Sequence, residues 1–153
     1  MIQNKYEILA EWLRDYEPIG SWLYINVSDM RAGNISLNSV SSQRYLQRYI
    51  DGSQECKLNF SIDLITNYDT GTSNTNLDAL KECQQLVSWC EERQKNYELP
   101  EFDNCIVGEV EITTDVPSLS IDDTQMLAKY QILGSVNYLE LRGENNGRND
   151  KVD

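Results

Sequence analysis

The feature that most restricts this chain is a strict two-residue alternation from Cys56 to Leu64. Cys56, Leu58, Phe60, Ile62 and Leu64 are separated by Lys57, Asn59, Ser61 and Asp63. Successive side chains of an extended strand point to opposite faces, so the pattern predicts a strand with one apolar and one polar face. A second alternation runs from about Met126 to Leu141. It puts Met126, Ala128, Tyr130, Ile132, Gly134, Val136 and Tyr138 on one face, and Lys129, Gln131, Ser135 and Asn137 on the other. Strands with a single apolar face must be covered by another layer.

That layer has two candidates. Tyr6, Leu9, Leu13 and Tyr16 recur at three- and four-residue spacing, predicting a helix from about Asn4 to Tyr16 that Pro18 and Gly20 end. Leu77, Leu80, Cys83, Val87 and Cys90, widened by Ala79, Leu86 and Trp89, predict a second helix from about Leu77 to Lys95. Thr75 or Asn76 can cap it.

Residues 43–50 alternate Arg44, Leu46, Arg48 and Ile50 against Tyr45, Gln47 and Tyr49, and Asp51-Gly52-Ser53 supplies a turn into the Cys56 strand. The result is a hairpin whose first strand has two unlike faces, both expected to touch something. Trp22–Val27 reads as a short strand and residues 105–113 as another, with Val107, Glu109 and Glu111 facing away from Ile106, Gly108, Val110 and Ile112. Residues 28–41 read as a polar loop or a short strand through Ile35 and Leu37; residues 67–76 read as a loop and 115–125 as a turn.

The order predicts an α+β fold: a mainly antiparallel sheet of about four to five strands with helices packed against it. A single domain is expected over residues 1–142. The tail, residues 143–153, has almost no apolar content and is expected to be disordered.

The net charge is −12, from 25 acids against 13 bases, a balance that repels phosphate backbones and argues against sequence-specific nucleic-acid binding. Its distribution is uneven. Glu98, Glu101, Asp103, Glu109, Glu111, Asp115, Asp122 and Asp123 form a stretch of eight acids without a base, whereas Arg31, Arg44, Arg48 and Lys57 outnumber Asp51 and Glu55 earlier. Unlike patches on one chain suit head-to-tail packing of identical copies; a scattered, solvated surface is equally compatible.

No apolar run approaches the roughly 20 residues of a membrane span, and the N-terminus lacks a secretory layout, so a soluble protein folding in the cytoplasm is expected. Cys83 and Cys90 lie about 10 Å apart along the predicted helix, too far for a disulfide. With Cys56 on an apolar strand face and Cys105 at the start of another strand, buried free thiols are the expectation.

Chemistry is sparse. The sequence holds no histidine, which removes the commonest general base and the Ser-His and Cys-His nucleophile arrangements. It has no C-x-x-C pair for zinc and no glycine-rich phosphate loop. Glu109/Glu111 and Asp122/Asp123 are carboxylate pairs, but paired acids on a solvated strand are far commoner than a glycosidase pair with one raised pKa. Asp122-Asp123 also lacks the spaced ligands of a calcium loop. No catalytic, cofactor or metal residue is therefore assigned.

Three segments carry a family resemblance: LNFSIDLITNYDT (58–70), the helix NLDALKECQQLVSWCEE (76–92), and VPSLSIDDTQMLAKYQILGSVNYLE (116–140). An alternating strand, a loop, a helix, and a Val-Pro turn leading into a long last strand with Tyr130 and Tyr138 resemble the phage tail terminator proteins, also labelled minor capsid proteins. The pattern spans roughly residues 1–141. The resemblance implies a non-enzymatic virion tail protein, assembled in a bacterial host's cytoplasm and forming a ring with copies of itself, typically sixfold. Such a ring caps the tail tube protein, offers a surface to a head or neck connector protein, and lets DNA pass without specific binding. On this reading Arg44, Tyr45, Arg48 and Tyr49 belong to the subunit interface, and the eight acids divide between that interface and the lumen. The rival readings are a monomeric acidic adaptor that mimics nucleic acid and an enzyme working through carboxylates alone.

Overall fold

The two alternating segments pair with each other along their whole length. In the computed structural model, which describes residues 4–19, 23–26, 33–41, 45–68, 75–114, 117–122 and 124–141, they form β4 (Gln54–Asn67) and β7 (Leu127–Glu140). Each has 14 residues, and the antiparallel register runs from Gln54 opposite Glu140 to Asn67 opposite Leu127. Every other element is arranged around this pair.

Strands of such length expose long outer edges, and each edge is covered by two shorter strands end to end. On the β4 side, β3 (Tyr45–Arg48) pairs near the start and β2 (Ile35–Ser39) near the end. On the β7 side, β5 (Cys105–Ile112) pairs with its last residues and β6 (Ser118–Asp122) with its first. Beyond β2 lies β1 (Leu23–Ile25), parallel to it. The sheet is therefore seven-stranded and mixed, with order β1-β2-β4-β7-β5 and β3 and β6 attached to β4 and β7.

This corrects the expected mainly antiparallel sheet of about four to five strands. The segment around Ile35, open to either a loop or a short strand, becomes β2, and the turn expected within 115–125 becomes β6, because the outer edges of β4 and β7 present rows of backbone donors and acceptors that must be met. Tertiary pairing outweighs their polar composition. The expected tail at 143–153 lies outside the described residues.

The helices are α1 (Lys5–Arg14) and α2 (Thr75–Lys95). Asn4 caps α1, its Oδ1 accepting from the Tyr6 N–H at 3.0 Å. Leu9 and Leu13 of α1 and Cys83, Leu86 and Cys90 of α2 share one core with Cys56, Phe60, Ile62 and Leu64 of β4 and Tyr130, Ile132, Val136 and Tyr138 of β7. Those strand residues are the apolar sets of the two alternations. The helices thus cover that face, and the opposite face, carrying Lys57, Asn59, Ser61, Asp63 and their β7 partners, has no described helix over it. Cys56, Cys83, Cys90 and Cys105 are free thiols, the first three buried.

The turn between β3 and β4 follows its sequence: Gly52 has φ +93°, and the Tyr49 N–H donates to the Ser53 carbonyl at 2.9 Å. One parity prediction fails. A bulge at Gly108, between the pairs Val107–Tyr138 and Glu109–Asn137, inserts one extra residue into β5. Ile106 therefore shares the open face with Glu109 and Glu111 instead of opposing them, and Val107, expected on the face of those two acids, packs with the core beside Val110 and Ile112.

Candidate functional site

The open sheet face gathers the residues most available for recognition. At its centre Asp63 is 8% exposed and fully engaged. The Asn38 and Gln131 amides each donate to it at 3.1 Å, the Lys129 ammonium lies 3.9 Å away, and Asn38 also donates to the Ser36 hydroxyl at 3.2 Å. This network ties β2, β4 and β7 in register, since burying a carboxylate without partners would be strongly unfavourable. With its oxygens occupied, it is a brace rather than a reactive group. Farther along β7, the Ser135 hydroxyl and the Asn137 side-chain oxygen are buried with no hydrogen-bond partner among the described residues.

Around these polar residues the face exposes large apolar side chains. Leu46 is 53% and Ile106 56% exposed; Leu133 and Leu141 are exposed as well. Leu46 and Ile106 sit at opposite sides of a shallow hollow of about 420 Å³, lined also by Glu55, Lys57, Gly108 and Asn137. Just beyond, at the hairpin tip, Ile50 is wholly exposed.

Of the interface residues expected from sequence, Arg44 lies outside the described residues, and Tyr45 is described only through its backbone in β3. Arg48 is exposed at the end of β3, opposite Gln54. Tyr49 donates its hydroxyl to the Glu55 carboxylate at 2.6 Å, a bond that pushes its ionisation upward because the phenolate would forfeit it.

The six described acids of the eight do not form one surface. Asp115 and Asp123 lie outside the described residues. Glu98 sits on the helix side, its carboxylate 3.5 Å from Arg93 Nε, an electrostatic contact without a directed hydrogen bond. Asp122 closes the β6–β7 turn. The Thr124 hydroxyl donates to it at 2.6 Å, with the Thr124 and Gln125 amides adding to the hold, and its carboxyl is shifted downward. Glu101 and Asp103 are exposed just before β5. Glu109 and Glu111 are exposed together on the open face, opposite Asn137 and Ser135.

Two features escape a linear reading. The outer surface of the helix layer carries Glu7, Glu11, Asp15, Glu17, Asp78, Glu82, Glu91 and Glu92, all exposed, so this layer contributes as many acids as the 98–123 stretch. Arg93 lies 5.1 Å from the ring centroids of both Trp12 and Trp89 and donates to the Trp12 carbonyl and the Asp15 carboxylate. The four-residue step from Trp89 to Arg93 on α2 is the only sequence signal for that clamp, and it names no partner on α1.

Among the described residues no group of three or more cysteines and carboxylates is placed to hold a metal ion. No described helix is long and apolar enough to cross a membrane. The sequence matches no protein-family model and no curated protein.

Proposed function

We propose that this chain is a structural subunit of a phage-type tail that assembles with copies of itself into a ring closing the tail end. One observation carries the self-assembly: a sheet that the described helices clothe on one face only, whose bare face exposes Leu46 and Ile106 at its two lateral edges on an otherwise strongly acidic protein. Exposed apolar side chains on open edge strands mark contact surfaces. The resemblance of segments 58–70, 76–92 and 116–140 to tail terminator proteins supplies the tail context, in which the partners are the tail tube protein and a head or neck connector, with DNA passing unbound.

The test is assembly of the purified full chain, followed by light scattering and negative-stain electron microscopy at rising concentration, with labelled antibody applied to tails of the parent particle. Closed rings of uniform size, or label confined to one tail end, are expected. A stable twofold dimer in every condition, or tails without label, contradicts the proposal.

A second reading, an acidic adaptor that mimics nucleic acid, is favoured by the eight exposed acids of the helix layer. It requires a monomer at all concentrations, which the same scattering measurement distinguishes.

A further inference from the structure

Near the β3–β4 turn the sheet is four strands wide, in the order β3-β4-β7-β5, and its two outer edges differ in chemistry. The β3 edge offers Arg48 and the exposed Leu46; the β5 edge offers the exposed Ile106, with Asp103 just before it. The register places these groups at matching heights. Arg48 pairs with Gln54, which pairs with Glu140, which pairs with Cys105. Tyr45 connects in the same way through Cys56 and Tyr138 to Val107. Leu46, at the β3 irregularity between Tyr45 and Gln47, is therefore level with Ile106.

We infer that the β3 edge of one copy adds to the β5 edge of the next, so that the occupant of each edge is a second copy of this chain. This rests on the ring reading above and names its interface. Strand directions allow it. β3 and β5 run opposite ways because each is antiparallel to one member of the antiparallel β4–β7 pair, so a copy set alongside in the same orientation presents β3 antiparallel to its neighbour's β5.

Lengths match too. The Val110 N–H is already taken by Gln94 Oε1 at 2.8 Å, which closes the β5 edge above the Gly108 bulge. What remains, Cys105 to Gly108, equals the four residues of β3. In the joined pair Leu46 meets Ile106 on the open face, Arg48 approaches Asp103, and all helices stay on one side. The contact is heterologous, as a ring requires.

The experiment mixes two full-length variants, Leu46→Asp and Ile106→Asp. Each spoils one edge and keeps the other, and both side chains are more than half exposed, so the fold should survive; circular dichroism checks this. Each variant alone is expected to stay monomeric where the wild type assembles, and the mixture to stop at a two-subunit complex. Arg48→Glu and Asp103→Lys should each weaken assembly, and the double variant should restore it. If the wild type assembles and either Asp variant assembles equally well, or the mixture stays monomeric, the inference is overturned while the ring reading stands. If the wild type neither assembles at any concentration nor labels tails, the ring reading fails and takes the inference with it.

Discussion

Phe60 and Gly134 face each other across the β4–β7 ladder, and the Phe60 ring fills the space that a side chain at 134 would need. A Cβ placed on Gly134 would lie 2.6 Å from Phe60 Cζ and 2.9 Å from the Glu111 carbonyl oxygen. The glycine in an otherwise apolar alternation is thus the counterpart of the aromatic ring beside it, covering the gap that a bare strand residue leaves.

Gly134→Ala is accordingly expected to destabilise the fold by about 1–3 kcal/mol through overpacking, despite alanine's better strand behaviour. Chemical denaturation measures it. Combining Gly134→Ala with Phe60→Leu should cost less than the sum of the two single changes, because the smaller side chain relieves the clash. Strict additivity would show that the two residues are not coupled.

Arg93 locks α1 to α2. It lies near two tryptophan rings and bonds to the Trp12 backbone and the Asp15 carboxylate, with its side chain only 17% exposed. Arg93→Lys keeps the charge but loses the planar fork, and should cost about 1–3 kcal/mol with a change in tryptophan emission. Unaltered emission and stability would mean that the charge alone suffices.

These contacts mark where sequence reading stops. The period-two runs at Cys56–Leu64 and Met126–Tyr138 and the helical spacing of Leu77 to Cys90 were legible because each depends on neighbours along the chain. β6 was not, and β2 stood only as an alternative to a loop, since Ser36, Asn38, Ser118 and Ser120 favour strands only where an edge of β4 or β7 waits beside them. The Gly108 bulge, a single inserted residue, reversed the parity assigned to Ile106. For the site, Glu109 and Glu111 fell on one face as expected. Glu98 and Asp122 were drawn off by Arg93 and Thr124, partners that charge counting along the chain does not identify.

Burial pushes the Cys83 thiol up to about 11 and the Cys90 thiol up to about 12, from an ordinary 9.0. An acid whose folded pKa is raised contributes stability below the unfolded value and loses it as pH rises toward the folded one. Stability should therefore hold to about pH 9 and decline above it, with Cys90 alone contributing about 1.4 kcal/mol per pH unit. Tyr6, Tyr16 and Tyr130, also shifted upward by burial, add to the decline only above 10. Urea titrations between pH 8 and 10 check this. Cys90→Ala, though less stable throughout, should show a shallower alkaline decline. A thiol reagent should modify neither Cys83 nor Cys90 at pH 8 unless the chain unfolds.

The acids of the open face bear on the passage of DNA. Of the expected lumen acids, Glu98 is held near Arg93 and Asp122 is bound into its turn, whereas Glu109 and Glu111 stand exposed side by side on β5. If copies join edge to edge, their bare faces form one continuous surface, and turning it inward would line the bore with these carboxylates. Carboxylates there repel passing phosphates over roughly 8 Å at physiological ionic strength, whereas lysines would hold them. Glu109→Lys with Glu111→Lys should therefore leave assembly intact and create duplex-DNA binding that strengthens steeply as salt falls, where the wild type binds none. Particles built with the variant should carry normal tails but release DNA more slowly. Two outcomes would contradict an inward-facing placement: normal ejection by such particles, or an assembled ring whose bore is lined by lysine and arginine with Glu109 and Glu111 outside.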